Sequence, residues 1–515
     1  LYLAGSGKIV DSSFSENQAF KGGAVYVEDG NVEIYNSTFT NNTSENNGGA
    51  IYAENGTVNI HNSLFNNNHA DRAAAIYNDA AIVNIYGSTF ENNTAANNII
   101  DNNTGTLNIK NSTFANNTTT NTHGAVHSYG GAVNIENTVF SNNIAAKTAA
   151  VDVTAGTLYI NNSVFENNTS SDSLGFGAVG IGSATSFAII KNSIFKNNSN
   201  TCDSGIIGSA IANGKNTVII ADNGVTEFTG NTSNGESIAI TNRSGSTLNL
   251  NASKTGSFTI NDSISSAKNG KIYINAEKTL EDGTLAPTDG NIQMNGKFIG
   301  SNVILENGSL TLGEYGQTNN GYFDNSDLTI NGGTLNTANG TADTFELNNF
   351  TGAGGGIIID FIGENSTYDK FSVANTASGT LNIGAVNINS ELKYNIAKPG
   401  RENLDLFLPD NAPTLTVGAN TYTNKYKYEI TPSTTAGSLD LNQLDITQKI
   451  DSVLADANTA VKVFTFSGNL KNTSDLGNLP AGTLILDGEG FDWNGNSNAG
   501  FHLSKQNTTL VINNI

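Results

Sequence analysis

Asp101, His127 and Asp152 are the residues of this 515-residue chain whose types and spacing come nearest to a catalytic set. Glycosidic-bond cleavage needs two carboxyl groups, one acting as acid and the other as base or nucleophile. Successive members of the trio stand 26 and 25 positions apart. That is one period of the repeat described below, so adjacent turns would place them side by side. The row they would occupy reads Tyr26, Tyr52, Tyr77, Asp101, His127, Asp152 and Gly180. The register at Asp101 is open, because Ile99-Ile100 departs from the local pattern. Such mixed identities suit a solvated outer stripe with ordinary variation. Turns this short also leave little chain for loops that could wall a cleft. His61, His69, His123 and His502 lack metal-ligand spacing. His123 and His127 are four apart, but an extended strand separates such residues by ~13 Å, too far to share an ion. Asp487-Gly488-Glu489-Gly490 is similar to a calcium-loop fragment but lacks the full nonapeptide repeat, and reads as a turn. The sequence therefore assigns no catalytic residue, no cofactor-binding residue and no metal ligand, and the chain is expected not to be an enzyme.

The elements that position these residues come from a repeat. A phenylalanine followed three residues later by an asparagine occurs at Phe14/Asn17, Phe39/Asn42, Phe65/Asn68, Phe90/Asn93, Phe114/Asn117, Phe140/Asn143, Phe165/Asn168, Phe195/Asn198 and Phe228/Asn231. Subtracting successive Phe numbers gives 25, 26, 25, 24, 26, 25, 30 and 33. A fixed period in this range marks a solenoid. Within one repeat, Val58 and Ile60 alternate with Asn59 and His61, the period of a strand buried on one face. Gly48-Gly49-Ala50-Ile51-Tyr52 forms a second short strand whose small residues admit a close neighbour. Glu54-Asn55-Gly56 has turn chemistry, and Asn62-Ser63 marks a corner. No helix-forming segment intervenes. The expected fold is all-β: a right-handed parallel β-helix of about 25 residues per coil, with stacked phenylalanines and an asparagine amide ladder inside. A leucine-rich repeat has an overlapping period. Leucine is scarce at the repeat positions, however, and β-branched and Gly-rich segments replace the helix formers that architecture needs.

Composition narrows the partners. With 46 acidic and 24 basic residues the formal net charge is −22, which repels nucleic acid and anionic membrane surfaces. Charged residues make up only 14%, and Asn, Ser, Thr and 55 Gly take their place. Cys202 stands alone, so no internal disulfide forms, and its simplest role is that of a small buried apolar residue. No stretch reaches the ~20 apolar residues of a membrane helix. Leu1-Tyr2-Leu3-Ala4-Gly5 lacks the basic start and apolar core of a signal peptide, so the chain reads as a mature segment of a longer, repetitive protein.

Four regions are expected. Residues 1–231 carry coils with the Phe-x-x-Asn motif. Residues 232–350 continue an irregular β-helix, with strands such as Thr247-Leu248-Asn249-Leu250, Lys271-Ile272-Tyr273-Ile274 and Leu328-Thr329-Ile330. Residues 351–440 form a β-rich cap or junction that opens with Gly352-Ala353-Gly354-Gly355-Gly356. Residues 441–515 hold a short capping helix, marked by Ile446, Ile450, Val453 and Leu454, then the opening coils of a second β-helix module.

Gly-Gly-Ala-Val/Ile at 22–25 and 48–51, combined with nine Phe-x-x-Asn pairs, resembles the repeat of the polymorphic outer-membrane protein family. The resemblance is strong over residues 1–231 and weaker beyond. It implies an autotransporter-type passenger, secreted with an attached β-barrel, that acts as a surface adhesin; no barrel is present in this chain. The expected role is a non-enzymatic extracellular protein of the bacterial cell surface, outer-membrane-anchored through other parts, that mediates attachment. Its expected partners are host or neighbouring cell surfaces, glycans or matrix, with no nucleic acid and no direct membrane insertion. A structural rod or filament subunit, self-associating by end-to-end β-helix stacking, is the main alternative. A polysaccharide lyase or glycosidase is a minor one.

Overall fold

The computed structural model describes the chain apart from residues 172–176, 183–186, 203–207, 268, 317–320, 363–366, 391–400, 409–412, 418–427, 444–460, 466–469, 472–481, 488–492, 495–507 and 514–515. The described residues contain strands and no helix, and parallel sheets wind them into a β-solenoid of about 14 turns spaced roughly 26 residues apart. The amphipathic segment around Ile446, His502 and the turn after Asp487 fall outside the described residues.

Two compact units divide the chain, Leu1–Thr311 with Gly321–Gly333 and Leu312–Asn320 with Thr334–Ile515. In the first, a representative coil consists of the strands Ile51–Ala53, Thr57–His61, Leu64–Asn66 and His69–Arg72. Each strand pairs in parallel with the same strand of the coils before and after it. Val58 lies opposite Val32 and Val83, and Phe65 opposite Phe39 and Phe90. Alternation sends Val58 and Ile60 inward, where both are fully buried. The pairing persists past the last Phe-x-x-Asn motif, with Thr247–Ala252, Lys271–Ile274, Asn302–Leu305 and Asp327–Ile330 in one register.

The repeat motif forms the corner of the coil. Asn62 and Asn67 take left-handed backbone with φ of 49° and 53°, a conformation that Asn tolerates better than other residues carrying a Cβ. Between them, Phe65 stacks on Phe39 at 4.7 Å and on Phe90 at 4.5 Å, the spacing of hydrogen-bonded strands. Asn68 is fully buried. Its amide donates to Asn93 Oδ1 at 3.0 Å and to the Phe39 carbonyl at 2.9 Å. Its own oxygen accepts from the backbone N–H and the amide of Asn42, both at 3.0 Å. All four of its hydrogen-bonding positions are thus used, the condition for burying an amide without penalty. The ladder runs from Asn17 to Asn231 and ends on Asp262, whose carboxylate accepts the Asn231 amide at 2.7 Å. A carboxylate suits the last rung because it is an acceptor only. A parallel hydroxyl ladder adds to the corner: the N–H of Ser63 donates to Ser88 Oγ at 3.1 Å, and Ser37 does the same to Ser63 at 3.1 Å.

The second unit uses longer strands. Thr344–Ile362 pairs in parallel with Lys370–Ser390, with four shifts of register along the way. Arg401–Asp405, Ser438–Gln443 and Tyr428–Pro432 make a three-stranded antiparallel sheet. Val461–Thr465, Gly482–Asp487 and Thr508–Asn513 pair in parallel.

Candidate functional site

The row through Tyr52 lies on the strands that begin each Gly-Gly-Ala-Ile coil. Strand pairing resolves the register, with Tyr26 opposite Tyr52, Tyr52 opposite Tyr77, Tyr77 opposite Asp101, Asp101 opposite His127, and His127 opposite Asp152. Val25 and Val27 are completely buried on either side of the half-buried Tyr26, so the row occupies the face turned away from the solenoid core. A solvated stripe is the sequence expectation for such a row, and it needs correction. Relative exposure is 2% at Tyr52, 0% at Asp101, 5% at His127 and 1% at Asp152. The residues that cover the row belong to the end of the preceding strand and the bend that follows it. Ala73 packs against Tyr52 and Tyr77, Lys21 and Arg72 lie over the Tyr52 and Tyr77 rings, and His123 stacks on His127.

Polar groups in this covered row are matched in detail. Asp101 accepts the Arg72 guanidinium, the Asn98 amide at 2.8 Å and His127 Nδ1 at 3.2 Å. Burial opposes its ionisation, but His127 and Arg72 outweigh burial and hold the carboxyl below the usual carboxylate range. Asp152 receives the Thr148 hydroxyl at 3.0 Å on one oxygen. Its other oxygen has Thr154 Oγ1 at 3.3 Å, His123 Nδ1 at 3.2 Å and His127 Nε2 at 3.9 Å. There too burial is outweighed, by His123 first, and the carboxyl is held low. Burial pushes the Tyr52 phenol up, and Asp79 pushes it further while accepting its hydroxyl at 3.1 Å.

His123 and His127 correct a second expectation. Their ring centroids are 4.4 Å apart. Strand spacing does not separate them, because only Val126–Ser128 is extended and the chain bends between Asn121 and Ala125. Gly124 makes the bend fit; a Cβ there would lie 1.9 Å from the Ala149 carbonyl oxygen. Of the other histidines, His61 sits between Tyr35 and Tyr86 in an outer stack, and His69 pairs with Thr94 at 3.1 Å.

The accessible face lies elsewhere, on the outward side of Asn31–Tyr35, Thr57–His61, Ile82–Tyr86, Thr106–Lys110 and Ala132–Glu136. One line of it is a second amide ladder. Asn84 donates to Asn59 at 2.7 Å, Asn108 to Asn84 at 2.7 Å and Asn134 to Asn108 at 2.8 Å. Beside it Tyr35, His61 and Tyr86 stack at 4.6 and 4.9 Å, followed by the ion pair of Lys110 with Glu136 at 2.8 Å. Asn84 and Asn108 are partly exposed, and each keeps a second N–H for solvent or ligand. The alternation of Asn59, Asn84, Asn108 and Asn134 with buried neighbours was the sequence signal for this face.

Fold and ladders together define a parallel β-solenoid assembled from a short Phe-Asn repeat. Residues 36–54 match the Chlamydia polymorphic membrane protein repeat, the family that the sequence resembles. The matched stretch holds Phe39, Asn42 and Gly48-Gly49-Ala50-Ile51, one set of the residues that build the ladders. No curated protein matches the chain. Among the described residues no helix is long and apolar enough to cross a membrane, which says nothing about a β-barrel.

Proposed function

We propose that this chain is a passenger segment of a bacterial surface protein that mediates attachment without catalysis. The outer face of amides and aromatic edges would bind hydroxyl-rich glycans or matrix. The observation that carries the reading is the ordered, partly exposed row Asn59, Asn84, Asn108 and Asn134 beside Tyr35, His61 and Tyr86. Its groups are fixed by neighbouring coils before any ligand arrives, so binding orders few side chains. The repeat match supports placement of the segment in a membrane-associated surface protein. The non-enzymatic part rests on the burial of Asp101 and Asp152, whose carboxylates are held by Arg72, Asn98, Thr148 and the two histidines, so that a polysaccharide cannot reach them.

The test is binding of the purified chain to cells and to immobilised matrix glycans, with Asn84→Ala/Asn108→Ala as the face variant. The expected result is saturable binding that the double variant weakens at least tenfold while the circular dichroism spectrum is unchanged. Absence of saturable binding to any cell or glycan sinks the adhesin reading. Formation of fibres instead would favour the rod.

A further inference from the structure

We propose that His123, His127 and Asp152 form a binding site for one divalent transition-metal ion of the zinc type. The site lies beneath the bend that covers the Tyr52 row. One ligand atom from each residue can be chosen so that all lie within 4.8 Å of one another. His123 Nδ1 is 3.2 Å and His127 Nε2 3.9 Å from Asp152 Oδ2. Around a tetrahedral ion with bonds of about 2.0–2.1 Å, ligand atoms stand about 3.3 Å apart. The first separation already matches, and the second must close by a fraction of an ångström. The two rings stack nearly parallel, so their in-plane nitrogen lone pairs converge on one ion only when His123 rotates out of that stack; its side chain is the most exposed of the three at 17%.

Three features of the surroundings favour an ion over a simple buried ion pair. His127 turns Nδ1 to the Asp101 carboxylate at 3.2 Å, and this leaves Nε2 facing Asp152. A carboxylate behind a ligating imidazole fixes its tautomer and raises its basicity, as in carboxylate–histidine–zinc sites. Asp101 is itself fixed by Arg72 and Asn98. Next, the Thr148 hydroxyl takes the other oxygen of Asp152 at 3.0 Å and orients it to offer Oδ2 to an ion. Finally, His123 Nδ1 is a buried nitrogen without an aligned hydrogen-bond partner, although a carboxylate oxygen lies beside it. An ion between them would satisfy that nitrogen. Two imidazoles and one carboxylate select zinc-like ions over calcium or magnesium, which take oxygen ligands. Thr154 Oγ1, 3.1 Å from His127 Nε2 and 3.3 Å from Asp152 Oδ2, sits where a fourth oxygen or a water would complete the set. Arg243 interacts electrostatically with Asp152 and opposes a second cation, so affinity should be lower than at a fully anionic site.

The experiment uses the whole purified chain, stripped with a chelator and titrated with zinc chloride by calorimetry, with cobalt(II) absorption as a probe of geometry. One ion per chain and visible bands of a four- or five-coordinate cobalt are expected. His123→Gln and His127→Gln should each weaken binding at least tenfold. Asp101→Asn, which touches no ion, should weaken it about 10–100-fold, and His61→Gln and His69→Gln should leave it unchanged. If His127→Gln does not fold, His123→Gln carries the test, since its ring lies at the edge of the covered row. Absence of stoichiometric zinc binding, or binding that His123→Gln leaves untouched, overturns the proposal. So does loss of binding in the His61 or His69 variants, which would place the ion on the outer face.

Discussion

Two rows of the same coils follow opposite rules. The Phe65–Asn68 corner repeats one identity coil after coil. The Tyr52 row changes from Tyr to Asp to His to Asp within four coils, yet is almost as deeply buried. At the corner each side chain meets its own copy: Phe stacks on Phe, and an amide donates to the next amide, so any substitution breaks two contacts. Members of the Tyr52 row also touch one another, Tyr52 stacking on Tyr26 and Tyr77 and His127 meeting Asp101, but Tyr77, Asp101 and Asp152 each meet in addition a different partner from the chain leading into the row. Tyr77 faces Arg72, Asp101 faces Arg72 and Asn98, and Asp152 faces Thr148 and His123. Identical stacking enforces repetition, whereas pairing across the bend permits chemistry to diverge.

The largest test of this contrast is Phe114→Ala, which opens a cavity in the middle of the aromatic stack and should cost about 3–5 kcal/mol. Hydrogen exchange should rise in the flanking coils and remain unchanged several coils away, because each coil contacts only its neighbours. Asn117→Ala should follow at about 2–4 kcal/mol. It deprives the Asn93 N–H and amide of their acceptor and the Phe90 carbonyl of its donor, all of them buried. If that variant proved neutral in urea unfolding, the amide ladder would be incidental to stability. Across the bend, Arg72→Leu should cost about 1–2 kcal/mol, since the guanidinium is one-third exposed and partly screened while Asp101 keeps Asn98 and His127. A larger loss than at the corner would reverse the comparison.

The second unit supplies a buried carboxyl with different company. Asp369 is fully buried. It is met by the N–H groups of Asp343 and Asp360 at 2.9 and 2.8 Å and by Thr337 Oγ1 at 2.7 Å. Burial, with the charge of Asp360 adding to it, outweighs those donors and pushes the carboxyl up to about 8. The folded state therefore holds a proton that the unfolded chain releases in the usual carboxylate range. The contribution of Asp369 to the stability of this region should be fullest at and below about pH 4, fall as pH rises from there toward about 8, and level off above it. Hydrogen exchange of Thr344–Ile362, corrected for intrinsic rate, should show this slope; a flat profile would mean that Asp369 is ionised like Asp101 and Asp152. The smallest effect is expected on the outer face, where Tyr86→Ser loses one stacking neighbour and should change stability by less than about 1 kcal/mol, as read from the urea midpoint.

Much of this was legible in the residues. The period of Phe and Asn, the alternation of Val58 and Ile60 with Asn59 and His61, and the small residues at Gly48-Gly49-Ala50 determined a parallel β-solenoid with aromatic and amide ladders. Such features repeat with the coil, and a chain that stacks on itself every 25 or so residues writes its contacts into its period. The same arithmetic placed Asp101, His127 and Asp152 in one row. Only the tertiary structure decided that the row is covered, that His123 folds back onto His127, and that the reachable amides are those of Asn59 and its neighbours. The cover comes from bends such as Asn121 to Ala125, where neither alternation nor period constrains direction. Burial of an outward-facing strand residue depends on how such a bend packs, and close packing of Gly124 beneath the next coil settles that in three dimensions.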